Sequence, residues 1–154
     1  GNLREARLAL WLAALAMARD APFLGHGPGT FGVLHESYAS MLGLSTWLPV
    51  DVRSVPWAHN LYLETLAEQG AVGLSALLAL LGGGIVVAWR VYRATTGEVR
   101  TLAAGTLASL LSLCGAALFE LSFVRQWVVV LTFTLLGAVA QLSSTLPTLI
   151  QEEH

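Results

Sequence analysis

AVGLSALLALLGGGIVVAW, residues 71–89, holds no charged side chain over nineteen positions. As a helix rising 1.5 Å per residue it reaches roughly 28 Å, close to the ~30 Å hydrocarbon core of a bilayer. The whole chain of 154 residues points the same way, with 55% apolar residues, 12% charged residues and a mean hydropathy of +0.67. Soluble domains carry about 25% charged residues. Two further apolar runs follow. Residues 101–123 are interrupted only by Glu120, and residues 127–146 are uncharged and end at Pro147. The pattern predicts an all-α, polytopic membrane chain with three transmembrane helices near 71–89, 101–123 and 127–146.

The net charge of −2 says little about partners, and no nucleic-acid partner is expected. The placement of charge is more informative. All eight basic residues are arginine, and Arg90, Arg93 and Arg100 crowd the linker RVYRATTGEVR between the first two spans. The positive-inside rule puts that linker in the cytoplasm. Residues 1–70 then lie on the extracytoplasmic side, as does the turn Val124-Arg125-Gln126, and the tail QEEH (151–154) returns to the cytoplasm. Residues 1–57 form an extracytoplasmic helix and loop segment on this reading, and residues 58–154 the membrane part. Cys114 is alone within a span, so neither a disulfide framework nor a cysteine pair for a metal is available. The chain opens Gly1-Asn2 with no signal peptide. Three spans that start outside predict the C-terminal part of a larger membrane protein, whose N-terminal transmembrane half would be a partner.

The outer segment has two parts. LREARLALWLAALAMAR (3–19) is rich in strong helix formers and free of glycine and proline. Its uncharged centre, residues 8–18, is about 16 Å long and too short to span, so an interfacial or partly buried helix is expected, stopped by Pro22. Next comes PFLGHGPGTF (22–31), with three glycines at alternate positions and two prolines, a turn-rich loop where backbone approaches something closely. It lacks the preceding strand that a nucleotide loop needs. Its N–H groups can still cradle an anion, which makes Gly27 and Gly29 candidate contacts, although architecture is their first role. Residues 31–43 suit a short helix. Residues 44–57 read as loop, with Pro49 and Pro56 as breakers and Asp51 and Arg53 among its polar residues, and Trp47 and Trp57 fit the headgroup level.

The stretch Trp57-Ala58-His59-Asn60-Leu61-Tyr62-Leu63-Glu64 carries the most chemistry. It sets a titratable group just before a membrane helix, where apolar and polar substrates meet. The alternative is an interfacial or capping histidine. His26, His35 and His59 share no i, i+4 spacing, so zinc is not expected, and no nucleophile elbow supports a serine triad. What remains is a histidine with arginines at a membrane surface. Histidine can act as a base on a hydroxyl, and arginine grips phosphate with two parallel hydrogen bonds. Glu64 and Glu68 are expected on a wet helix edge. Glu120 is read as interfacial or as a partner of Arg125 or of an arginine in the N-terminal half, and Gly82-Gly83-Gly84 as a packing or flexing point.

With these residues in view, the chain resembles the O-antigen ligase and polymerase family of membrane glycosyltransferases, in its C-terminal part. Arg7 with Trp11 resembles the family's arginine–tryptophan pair. Residues 21–31 resemble its Pro-hydrophobic-Leu-Gly-any-Gly-Pro-Gly-any-Phe loop. Ala58-His59-Asn60-Leu61-Tyr62-Leu63 with Glu68-Gln69-Gly70, Gly73 and Leu74 resembles its signature leading into the next span. The resemblance implies an enzyme of the bacterial cytoplasmic membrane that needs no metal or other cofactor. Its donor would be a glycan on undecaprenyl pyrophosphate, as in lipopolysaccharide and polysaccharide synthesis, and its acceptor a sugar or protein hydroxyl. By position, His59 would be the base on the acceptor or would orient it, and Arg7 would hold the pyrophosphate, with Arg4 a near rival. Asn60 and Tyr62 would orient His59 or the sugar. Members carry more spans than these three, and another donor-phosphate arginine of the family falls upstream of this segment.

Two other functions stay open at this stage. Transporters of the same superfamily, for inorganic carbon or another solute, place polar groups near the bilayer midplane, whereas here the polar set precedes the span. A non-catalytic scaffold that binds a partner through His59 and the loop is the third.

Overall fold

The computed structural model describes residues 3–48, 57–119 and 126–144, and these are helical with short connections. Helix α1 covers Leu3–Asp20, α2 Phe31–Met41, α3 Leu61–Ala94, α4 Gly97–Ala116 and α5 Gln126–Ser144, with a 3₁₀ turn at Ser45–Trp47. Three of them, α3, α4 and α5, are long and apolar enough to cross a membrane. The all-α class and the three apolar helices thus stand as expected. Glu120, Arg125, Pro49, Asp51, Arg53, Pro56, Pro147 and the tail QEEH (151–154), on which other expectations rested, lie outside the described residues.

The contacts divide the described chain into two units, residues 3–77 with 117–119, and residues 78–116 with 126–144. In the first, α1 buries Ala6, Ala9, Leu10, Ala13, Ala14 and Met17, a stripe at three- and four-residue spacing. Small side chains dominate it, so neighbouring backbone can come close. Leu10, Ala14 and Met17 pack with Phe31, Ala58 and Ala67, flanked by Leu34, Tyr38, Leu48 and Leu63. Helix α2 ends where Gly43 turns left-handed (φ +70°), with Gly43 and Leu44 amides returning to the carbonyls of Ser40 and Ala39.

Helix α3 starts ten residues before the charge-free run and is interrupted at Gly70, whose φ of 65° and ψ of −165° are not helical. A break of this kind strands carbonyls before it and amides after it. The glycine-rich loop supplies both sets of partners. His26 and Gly27 donate to the carbonyls of Ala67 and Glu68, while the amides of Ala71 and Val72 donate to the carbonyls of Pro22 and Phe23. Two glycines make the approach possible. A Cβ on Gly25 would overlap the backbone of Glu68, and one on Gly70 the backbone of Phe23. Phe23 and Leu24, 73% and 75% exposed, sit at the turn of this loop beside the first residues of the apolar run.

In the second unit, Ala88, Leu110 and Val139 form a small core with Ile85, Leu107, Leu135 and Leu136. Gly84 faces Leu136 closely, whereas Gly82 and Gly83 border open space, so one of the three run glycines serves packing. Leu78, Val86, Leu111, Val130 and Phe133 point outward, as lipid-facing side chains do. Hydroxyls of Thr106, Ser109 and Thr132 bond carbonyls one turn back, which satisfies them without water. Arg93 stands over Trp89 and Arg100 over Tyr92, an arginine and aromatic cluster suited to a headgroup boundary. Helix α4 stops at Ala116 and residues 117–119 form a turn, while 120–123 of the predicted span lie outside the described residues.

Candidate functional site

The stretch 57–61 is held from four sides. The Ala58 amide donates to the Glu64 carboxylate at 2.8 Å, and the Ala58 carbonyl accepts the Trp11 indole N–H at 3.1 Å. The Asn60 side-chain oxygen accepts the Leu63 amide at 3.0 Å, capping α3. Its amide group donates to the Leu118 carbonyl at 3.0 Å, and the Leu61 amide donates to the Ala117 carbonyl at 2.9 Å. One orphan backbone amide at the start of α3 and the Asn60 side-chain amide thus meet two carbonyls just past the end of α4.

His59 stands between these anchors with φ +53°, the one non-glycine residue with positive φ among the described residues. For a bulky side chain that conformation is uncommon and holds only where neighbours enforce it. The imidazole is half-buried and accepts at Nδ1 the indole N–H of Trp57, 3.3 Å away. The two rings meet edge-on, with centroids 5.7 Å apart. Tyr62 is half-buried on the first turn of α3.

Arg7 is half-buried on α1, one turn before Trp11, and Arg4 is exposed a turn earlier. Side chains four apart on a helix share a face. Trp11 bonds the carbonyl next to His59, so the chain brings the face bearing Arg7 to the stretch bearing His59. Trp11 also rests against Phe119, with centroids 6.4 Å apart.

The glycine loop does cradle an anion, and the anion is the protein's own. Glu68 takes the Gly29 amide on one carboxylate oxygen and the Phe31 amide on the other, both at 2.8 Å, while Gly27 bonds the Glu68 carbonyl. Glu64 and Glu68 are buried, at 5% and 7% exposure. The wet helix edge expected of them is corrected: each is buried because backbone N–H groups satisfy its charge. Beside them opens a pocket of about 200 Å³ lined by Pro28, Gly29, Leu61, Glu64, Thr65 and Gln69 along with Glu68. The spacing of Asn60, Glu64 and Glu68 is the signal that one helix face works inward.

The other histidines have local tasks. His35 donates to the Phe31 carbonyl and stacks on that ring within the core. His26 donates to the Met17 carbonyl, with its ring edge against Tyr38. The Tyr38 hydroxyl donates to Asp20 at 2.6 Å, and that carboxylate pushes the phenol above its ordinary value of 10.0.

A family model described as O-antigen ligase matches residues 1–78, half of the chain and the part that holds Arg7, the glycine loop and His59. No curated protein and no solved structure matches.

Proposed function

As the chain belongs to the O-antigen ligase family, we propose that it serves in moving a glycan from an undecaprenyl-pyrophosphate-type carrier to an acceptor hydroxyl at the outer face of the bacterial cytoplasmic membrane. Residues 1–57 make up the extracytoplasmic segment in this proposal, and residues 58–154 the membrane part. His59 meets the acceptor, as base or as orienting group. Arg7 binds the pyrophosphate and offsets the charge left as the sugar–phosphate bond breaks. Arg4 is a second phosphate contact, and Tyr62 borders the sugar. Asn60, Gly27 and Gly29 contribute by building the site: Asn60 caps α3 and bonds Leu118, while Gly27 and Gly29 tie the loop to Glu68.

One observation carries the reading. The Trp11–Ala58 hydrogen bond joins the arginine-bearing helix to the histidine-bearing stretch, which are 47 positions apart. The test is glycan transfer in membranes that carry the protein with His59→Ala or Arg7→Ala, at matched protein level. Each substitution is expected to abolish most transfer. Unchanged transfer with His59→Ala would overturn the proposal.

A further inference from the structure

We propose that the last turns of α3 and the first turn of α4 form a binding site for the phosphate headgroup of an anionic phospholipid, built on Arg93, Arg100 and the rings of Trp89 and Tyr92. The site lies wholly within the second unit.

The sequence sets Arg90, Arg93 and Arg100 against one acid, Glu98, directly after the charge-free run that ends at Trp89. All four charged side chains are exposed, and none makes an ion pair among the described residues. Aromatic faces meet the guanidinium charge instead. The Arg93 guanidinium lies 5.8 Å from the Trp89 ring centroid, and that of Arg100 lies 4.6 Å from the Tyr92 centroid. The two rings are 5.6 Å apart, and the Tyr92 hydroxyl accepts an Arg100 N–H at 3.2 Å. A guanidinium held on a ring face keeps its charge, and most of its in-plane N–H groups stay open to an acceptor. Two long side chains are thus partly ordered before any ligand arrives, which lowers the entropy cost of binding one.

Guanidinium groups placed in this way suit a phosphate, whose oxygens each can grip through parallel hydrogen bonds. The surroundings select a lipid over a free phosphate. Val86 and Trp89 are each 49% exposed and stand three positions apart, so an apolar strip runs back along α3 from the arginines. Leu102, two residues past Arg100 on α4, is 60% exposed. Both helices are long and apolar enough to cross a bilayer, and the cluster sits where the charge-free run of α3 stops. An amphipathic ligand meets both features, its phosphate on the N–H groups and its acyl chains along Val86. A zwitterionic headgroup would bring an ammonium that the arginines repel, so the anionic headgroup is favoured.

Native mass spectrometry of the full-length protein, delipidated in detergent and titrated with single lipids, tests the site. Dioleoylphosphatidylglycerol is expected to bind about tenfold or more tightly than dioleoylphosphatidylcholine, since each arginine at a headgroup adds about fivefold. Arg93→Gln combined with Arg100→Gln is expected to abolish that preference. Two charge-conserving variants separate a built site from diffuse attraction. Trp89→Leu with Tyr92→Leu, and Arg93→Lys with Arg100→Lys, are each expected to weaken phosphatidylglycerol binding about fivefold or more. Helicity matched to the parent by circular dichroism qualifies each variant for comparison. Equal binding of the two lipids by the parent, or an unchanged preference in the glutamine variant, refutes the site. Unchanged binding in both charge-conserving variants reduces it to a diffuse field and refutes it as well. Inorganic phosphate that displaces the lipid at equal concentration would show that the acyl chains add nothing, and would overturn the choice of a lipid.

Discussion

Phe31 and Glu68 are joined by a buried hydrogen bond from backbone N–H to carboxylate, 2.8 Å long and 37 positions apart in sequence. With the Gly29 amide on its other oxygen, this carboxylate occupies the place where a glycine loop would hold a phosphate. Glu68→Ala leaves two amides without their acceptor and is expected to cost about 2–5 kcal/mol. Glu68→Gln keeps one acceptor but turns an NH₂ toward the other amide, and an intermediate loss follows. Thermal unfolding of the detergent-solubilised protein measures the order, Ala below Gln below the parent.

The loop glycines divide by what surrounds them. Gly25→Ala and Gly70→Ala drive a methyl into backbone at positive φ, and each is expected to cost about 3 kcal/mol or more. Gly29 also has positive φ (+76°), but a Cβ there meets nothing within 4 Å. Gly29→Ala should therefore cost only about 1 kcal/mol, the left-handed penalty alone. Similar losses at all three positions would show that conformation, not contact, governs the loop.

Asn60 performs two tasks that substitutions can separate. Asn60→Ser retains a helix cap and loses the bond to the Leu118 carbonyl, whereas Asn60→Ala loses both. The expected costs are about 1 kcal/mol for Ser and about 2–3 kcal/mol for Ala. Hydrogen exchange at the Leu61 and Leu63 amides should quicken more in the Ala variant.

Tyr38 gives a pH dependence with a definite sign. Its phenol is raised above 10.0 by the bond to Asp20 and, to a lesser degree, by burial and by the same carboxylate's charge. The folded state holds this proton more tightly than the unfolded state. The stabilisation is complete below the unfolded phenol value and is lost as pH rises through the folded one. Asp20→Asn should bring the titration back toward 10.0, as read from phenolate absorbance. A midpoint that stays put would assign the shift to burial.

The apolar helices were legible in the sequence because absence of charge over nineteen residues needs no tertiary knowledge. Their ends were not. Leu61–Gly70 carries Glu64 and Glu68, and charges on a helix suggest solvent until a buried partner is known. The partners are the backbone amides of Ala58, Gly29 and Phe31, which have no side-chain signature. The close approach at the glycine loop was foreseeable from alternate glycines, but what approaches, the break at Gly70, was not. Arg7 and His59 stood out as candidate groups by residue type and setting. That a tryptophan indole ties their elements together depends on a contact 47 residues long, and Trp57's hold on His59 depends on a backbone turn that no periodicity encodes.

The bond from Asn60 to the Leu118 carbonyl spans 58 positions, with all of α4 emerging between its two ends during synthesis. Contacts so distant in sequence close late, after the entropy of the intervening loop has been overcome. The seat of His59 is thus completed only when the chain has passed Leu118. A nascent chain that has delivered the loop and the first apolar helix still lacks the two carbonyls, of Ala117 and Leu118, that receive Leu61 and Asn60. Under the proposed function, the site would be finished only after the second apolar helix has been made.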